Sequence, residues 1–195
     1  MRIAEITRET AETRIKLGLK LDGTGKYDVE TGVGFLDHML ELMTRHGRFD
    51  LILRSEGDLQ VDAHHTTEDI GIVLGQAFAK ALGDKGGITR YGRFLLPMDE
   101  ALVQVALAIS GRAHLGWGLL LPAARVGDFD TELVREFFEG LCRALGLTLH
   151  LRQLAGENTH HIIEAAFKGF GRAMAQAVAI DERLGGEIPS TKGML

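Results

Sequence analysis

Two hydrophobic spacings alternate along the chain. Residues 13–22 carry Ile15, Leu17, Leu19 and Leu21 between Arg14, Lys16 and Lys20, the period-two pattern of a strand with one buried face. Residues 2–8 read as a strand before it. Asp22-Gly23-Thr24-Gly25 predicts a hairpin turn, because Asp-Gly accepts positive φ, and Tyr27–Thr31 predicts the returning strand. From Phe35 to about Arg45 the spacing becomes helical, with Phe35, Leu36, Met39, Leu40 and Met43 on one stripe. A short strand at 49–54 follows, then a helix from about His64 to Leu82 that ends in Gly83-Asp84-Lys85-Gly86-Gly87.

The second half has the same rhythm. Residues 98–109 read as a buried strand closed by Ser110-Gly111-Arg112, and 114–121 as a short strand region. Thr131–Leu145 is an amphipathic helix with Leu133, Val134, Phe137, Phe138 and Leu141 on its apolar face. A strand at 147–151 leads through Gly156-Glu157-Asn158-Thr159 into a helix ending near Ile180. Each half therefore runs strands, helix, strand, helix, an internal duplication at low residue identity. The repeats cover about 1–90 and 91–187, with no linker between them, so a single unit of 1–195 with a shared core is expected. Residues 188–195 read as an exposed tail.

Composition narrows the function class. A length of 195 residues with 45% hydrophobic and 25% charged side chains suits one globular unit. A net charge of −5 argues against general nucleic-acid binding. The one cysteine, Cys142, excludes a disulfide framework and fits a reducing compartment. Residues 1–9 contain acids and no apolar stretch, unlike a secretory signal, and no run approaches a membrane span. These features predict a cytoplasmic protein without a membrane partner.

The chemistry concentrates in the histidines. His64-His65-Thr66-Thr67-Glu68 opens the first long helix, and His160-His161-Ile162-Ile163-Glu164 repeats it ninety-six positions later. Imidazole nitrogens with a carboxylate form a ligand set for divalent transition metals. His65 with Glu68, and His161 with Glu164, stand at i and i+3 and share a helix face. His38 precedes the first motif and His150 the second, so six histidines and two glutamates divide into two sets of three His and one Glu. Four protein ligands leave open positions on an octahedral ion such as Mn²⁺, as a catalytic metal requires. A second, cationic set comprises Arg90, Arg112 and Lys168, with Ser190 and Lys192 in the tail; such groups beside Gly-rich turns suit a phosphate. Metal-dependent hydrolysis of a phosphorylated substrate, and metal-glued assembly without catalysis, are the two rival readings. Phosphate release would mark the first and absence of turnover the second.

Several stretches, taken in one order, resemble the imidazoleglycerol-phosphate dehydratase family. They are Arg-Glu-Thr-Ala-Glu-Thr (8–13), Thr-Gly-Val-Gly-Phe-Leu-Asp-His-Met-Leu (31–40), Asp-Ala-His-His-Thr-Thr-Glu-Asp-Ile-Gly (62–71), Arg-Tyr-Gly (90–92), Met-Asp-Glu-Ala-Leu (98–102), Ser-Gly-Arg (110–112), Gly-Glu-Asn-Thr-His-His-Ile-Ile-Glu-Ala-Ala-Phe-Lys (156–168) and Pro-Ser-Thr-Lys-Gly (189–193). Ala108 stands where the family usually has Asp, and His114 lies outside its motifs. The resemblance implies an α+β fold of two similar repeats, each a four-stranded sheet backed by two helices (ribosomal protein S5 domain 2-like). It implies assembly into a cage of 24 subunits with active sites at interfaces.

The implied reaction converts D-erythro-imidazole-glycerol phosphate to imidazole acetol phosphate in L-histidine biosynthesis. Two Mn²⁺ ions per active site would bind the ring as imidazolate, which expels the hydroxyl through a diazafulvene-like intermediate. By the same resemblance, one metal takes His38, His65, Glu68 and a neighbour's His160. The other takes His64 from one chain with His150, His161 and Glu164 of its neighbour. Glu12 matches the family's catalytic glutamate and is assigned proton transfer, with His46 as a second candidate. Arg90, Arg112, Lys168, Ser190 and Lys192 would hold the phosphate.

Overall fold

The computed structural model describes residues 2–195; the first residue of the predicted first repeat lies outside them. The first half contains β1 (Ile3–Glu9), β2 (Thr13–Lys20), β3 (Tyr27–Glu30), α1 (Gly34–Gly47), β4 (Asp50–Gly57) and α2 (His64–Leu82). The second contains β5 (Tyr91–Met98), β6 (Ala101–Ile109), β7 (His114–Gly118), β8 (Arg125–Val126), β9 (Phe129–Asp130), α3 (Leu133–Leu145), β10 (Leu147–Ala155) and α4 (Thr159–Val178), before a 3₁₀ turn at Glu182–Leu184. Two four-stranded sheets form, in orders β1-β2-β4-β3 and β5-β6-β10-β7, with a small β8-β9 hairpin aside. The expected α+β architecture of two similar halves is what the chain adopts.

The helices lie between the sheets. α2 packs on β1, β2 and β4, α1 on β3, α4 on β5 and β6, and α3 on β7 and β10. The halves then join helix to helix, α2 on α3 and α1 on α4. Burial records the duplication. Leu36, Met39, Leu40, Met43, Thr44 and Gly47 are buried on α1, and ninety-eight positions later so are Val134, Phe137, Phe138, Leu141, Cys142 and Leu145 on α3. The single buried stripe on α1 and on α3 is what their hydrophobic spacing dictates, whereas α2 and α4, each packed on a sheet and on another helix, are buried over most of their surface.

Three strand expectations are corrected. Tyr27–Thr31 does not return along β2. β3 runs parallel to β4, with Tyr27 opposite Leu51, and the Asp50 carboxylate accepts the N–H groups of Thr24 (2.7 Å) and Lys26 (3.0 Å) to hold the crossing. The strand read over 98–109 is the second arm of a hairpin: β5 and β6 meet at Asp99-Glu100, where Asp99 has φ 50°. β5 carried no expectation; its Pro97 is tolerated because β5 is an edge strand, where a missing N–H costs no ladder bond. The strand region over 114–121 ends at Gly118, parallel to β10.

Glycines set the helix–helix distance. A β-carbon on Gly71 would lie 2.3 Å from the Phe137 carbonyl oxygen, and one on Gly171 would lie 2.3 Å from that of Met43. Backbones therefore touch where α2 crosses α3 and where α4 crosses α1. Gly171→Ala is expected to destabilise the fold by about 1–3 kcal/mol through overpacking, read as a lower thermal midpoint; an unchanged midpoint would contradict the close approach.

Candidate active site

Both histidine motifs open their helices. α2 begins at His64, and α4 begins one residue before His160, with the Asn158 side chain accepting the His161 N–H at 3.2 Å. The pairs that form stand at i and i+4, not i+3. His64 Nε2 lies 3.9 Å from Glu68 Oε2, and His160 Nε2 lies 3.2 Å from Glu164 Oε2. Residues four apart also share a face. His65 and His161 turn instead to Asp58 and Glu100, whose carboxylates lie 2.9 and 2.7 Å from their Nδ1 atoms. These carboxylate contacts raise the pKa of both histidines. The Glu100 carboxyl is held at about 2 by His161 and by the Asn158 N–H.

α1 lies against α4, which brings His38 to His160 and Glu164. One ligand atom from each falls within 4.8 Å of the others, the one such group of three among the described residues. This redraws the expected partition: His38 meets His160 and Glu164 of its own chain rather than His65 and Glu68. Glu164 is buried. Burial opposes its ionisation, but the Lys168 ammonium, 2.5 Å from Oε1, overcomes this and lowers its pKa. Glu68 has the same arrangement, its Oε1 held 2.5 Å from Arg143 Nη2. Each motif glutamate thus gives one oxygen to a cation and turns the other to a histidine. A cavity of about 670 Å³ opens beside His38 and His160, bordered by Phe35, Asp62 and the β8–β9 hairpin.

His150 is elsewhere. Leu147, Leu149 and Leu151 of β10 face the helices, so strand alternation turns His150 to the outer face of the sheet. There its ring covers Gly116, where a β-carbon would lie 2.2 Å from Nδ1, and stacks near His114 at 5.3 Å between centroids. The ninety-eight-residue offset between α1 and α3 sets Glu136, not His150, at the place His38 holds in the other half. Sequence reading passed over Glu136 because a glutamate in the first turn of an amphipathic helix looks like solvated surface; only the register between the repeats marks it.

Glu12 sits in the β1–β2 turn with Oε1 3.7 Å from His65 Nε2. The turn is anchored by buried Asp69, which accepts Arg8 Nη2 at 2.8 Å and the Thr13 hydroxyl at 2.5 Å. The tail is not free. Arg90 Nη1 donates to the Pro189 carbonyl at 2.7 Å, Lys85 Nζ to that of Leu195 at 3.2 Å, and a β-carbon on Gly111 would lie 2.7 Å from the Leu195 carbonyl carbon. Ser190 and Lys192 therefore belong to a segment laid over Arg90 and the Ser110-Gly111-Arg112 turn. Arg90 Nε is buried without a partner among the described residues. Lys168 is not with this group but on Glu164. His46 lies two turns from His38 along α1, and burial together with Lys168 and Arg172 lowers its pKa.

Comparison with known proteins gives the family. Residues 31–174 match the family model for imidazoleglycerol-phosphate dehydratase. A protein of that name from Dinoroseobacter shibae is 60% identical over 195 residues, all of both chains. One from Desulforamulus reducens is 60% identical over 194, covering 98% of its length. The crystal structure from Staphylococcus aureus superposes with a TM-score of 0.84 at 41% identity, over 92% of this chain and 99% of that one. The structure from Pyrococcus furiosus gives 0.85 at 39%, over 97% and 100%. The class is that of the hydro-lyases, enzymes that remove water from a small substrate. The chain belongs to the imidazoleglycerol-phosphate dehydratase family, and its reaction is a dehydration in histidine biosynthesis. The hydrolase and assembly-only readings fall with that assignment. No helix among the described residues is long and apolar enough to cross a membrane.

Proposed function

We propose that the chain converts D-erythro-imidazole-glycerol phosphate to imidazole acetol phosphate on two divalent metal ions per active site, with Mn²⁺ the ion that the family resemblance favours. The convergence of His38, His160 and Glu164 carries this reading. Two imidazoles and a carboxylate, with ligand atoms within 4.8 Å, form a nitrogen and oxygen donor set that a divalent transition metal accepts. Lys168 neutralises the remaining oxygen of Glu164, so the carboxylate keeps its orientation. When bound, the ions supply Lewis acidity that favours the anionic form of the substrate ring.

Three ligands from one chain leave a metal incomplete. His64, His65 and Glu68 at the head of α2 are further donors, and the register of the repeats adds Glu136 of α3 as the counterpart of His38. His161 sits with the first group on α4. We assign one ion to His38, His160 and Glu164 of one chain with His65 of a neighbour. The other goes to His64, Glu68 and Glu136 of that neighbour with His161 of the first. Both sets then need two chains, so this reading requires a homo-oligomer, which the resemblance would make a cage of 24 subunits. The enzyme's biosynthetic role supports a cytoplasmic location.

The other groups act on the substrate's side chain. Glu12 accepts or returns the proton that leaves carbon. Arg90 and Arg112, with Ser190 and Lys192 of the tail (188–195), grip the phosphate and fix the side chain for elimination. Arg112→Ala is therefore expected to raise KM with little change in kcat, since it removes uniform binding; an unchanged KM would count against phosphate contact. The whole reading is tested by mixing Mn²⁺-loaded protein with imidazoleglycerol phosphate and following the ketone product. The ketone should form without release of phosphate, and a chelator should abolish its formation. Undiminished turnover in metal-free protein would refute it.

A further inference from the structure

The histidines left over from the i,i+4 pairs, His65 and His161, are held in the same way by different parts of the fold. Asp58, beyond the end of β4, meets His65 Nδ1 at 2.9 Å; Glu100, in the β5–β6 turn, meets His161 Nδ1 at 2.7 Å. Neither carboxylate belongs to the helix it serves. Both are themselves fixed. The Asp58 side chain is 17% exposed, and its N–H donates to the Glu12 carbonyl at 3.1 Å. The Glu100 Oε1 atom accepts the N–H groups of Asn158 at 2.9 Å and Glu157 at 3.3 Å.

A neutral imidazole carries one N–H. A carboxylate at Nδ1 places that hydrogen there and leaves the lone pair on Nε2, as supporting carboxylates do for ligating histidines. The Nε2 atoms face outward, 3.7 Å from Glu12 on His65 and 3.7 Å from Asp99 on His161. Strand register adds a division of labour. Pairs Glu9↔Arg14 and Pro97↔Leu102 close the two hairpins alike, so Glu12 and Glu100 hold equivalent places. Glu100 is committed to His161 and two backbone N–H groups, whereas Glu12 stands off its histidine.

We infer that Asp58 and Glu100 are positioning residues that fix His65 and His161 so that Nε2 of each is the metal-binding nitrogen. The inference rests on the metal reading above. The test titrates chelator-treated full-length protein with Mn²⁺ by calorimetry. Asp58→Ala and Glu100→Ala should each bind Mn²⁺ about 10–100-fold more weakly than wild type. Asp58→Asn and Glu100→Gln, which keep shape and an acceptor oxygen, should lose less but still bind more weakly; they carry the test should either alanine chain fail to fold. In a His65→Ala background, Asp58→Ala should add no further loss, because the two act through one ligand. Wild-type affinity in the Asn and Gln variants, or losses that simply add in the His65→Ala background, would overturn the positioning role. A wild-type protein that takes up no Mn²⁺ would overturn the metal reading instead.

Discussion

Glu12→Gln is expected to lower kcat by about 10²–10⁴-fold, the contribution of a positioned proton-transfer group, while Mn²⁺ content and KM stay close to wild type. The turn that carries Glu12 does not depend on its carboxylate. Asp69, Arg8, Thr10 and Thr13 hold it, and the Glu12 N–H is taken by the Thr10 hydroxyl. Gln keeps the shape of the side chain and loses only the ability to take a proton at that site. The carboxylate is half exposed and 3.7 Å from His65, so it is free to approach substrate. Full turnover in Glu12→Gln protein would remove Glu12 from the reaction. A large rise in KM with kcat unchanged would recast it as a binding group.

Glu164→Gln should cost more, because it strikes the ligand group and its support together. The variant loses the anionic ligand proposed for the metal and leaves the Lys168 ammonium without its partner 2.5 Å away. Lys168 is largely buried, and an unpaired buried charge is destabilising. Metal binding should weaken beyond the ~10–100-fold that a supporting residue costs, and turnover should fall to background. Lys168→Met gives the contrast. It leaves the carboxylate in place without a cation, so metal is retained more weakly and some activity survives. Wild-type Mn²⁺ content in Glu164→Gln would place the metal elsewhere.

The fold class and the candidate motifs were legible in the residues, and what was not legible has physical causes. The doubled His-His-x-x-Glu motif and the duplication of the fold stood in the sequence because helical period and ligand chemistry are local. His38 was chosen, like His150, because it precedes a motif helix, and the structure brings it to His160 and Glu164. The convergence of His38 with His160 and Glu164 was not legible, since it depends on α1 lying against α4, a packing that no local pattern encodes. His150 was misplaced because adjacency in sequence was read as adjacency in space, while strand alternation sends its side chain to the outer face. Glu136 went unnoticed because an acid in a helix's first turn looks like solvated surface, and the role of Glu100 because the strand expected over 98–109 hid the hairpin turn that carries it. They stand out only when the repeats are brought into register.

Sharing of the site between chains is most directly tested by co-expressing two variants of the full chain. His160→Ala damages the α4 side and His65→Ala the α2 side, and each alone should be inactive. Random pairing in a mixed oligomer leaves roughly a quarter of two-chain sites intact. Co-expressed protein should therefore regain about that fraction of wild-type turnover. Activity no higher than the sum of the two separate variants would contradict an active site completed by the neighbouring subunit.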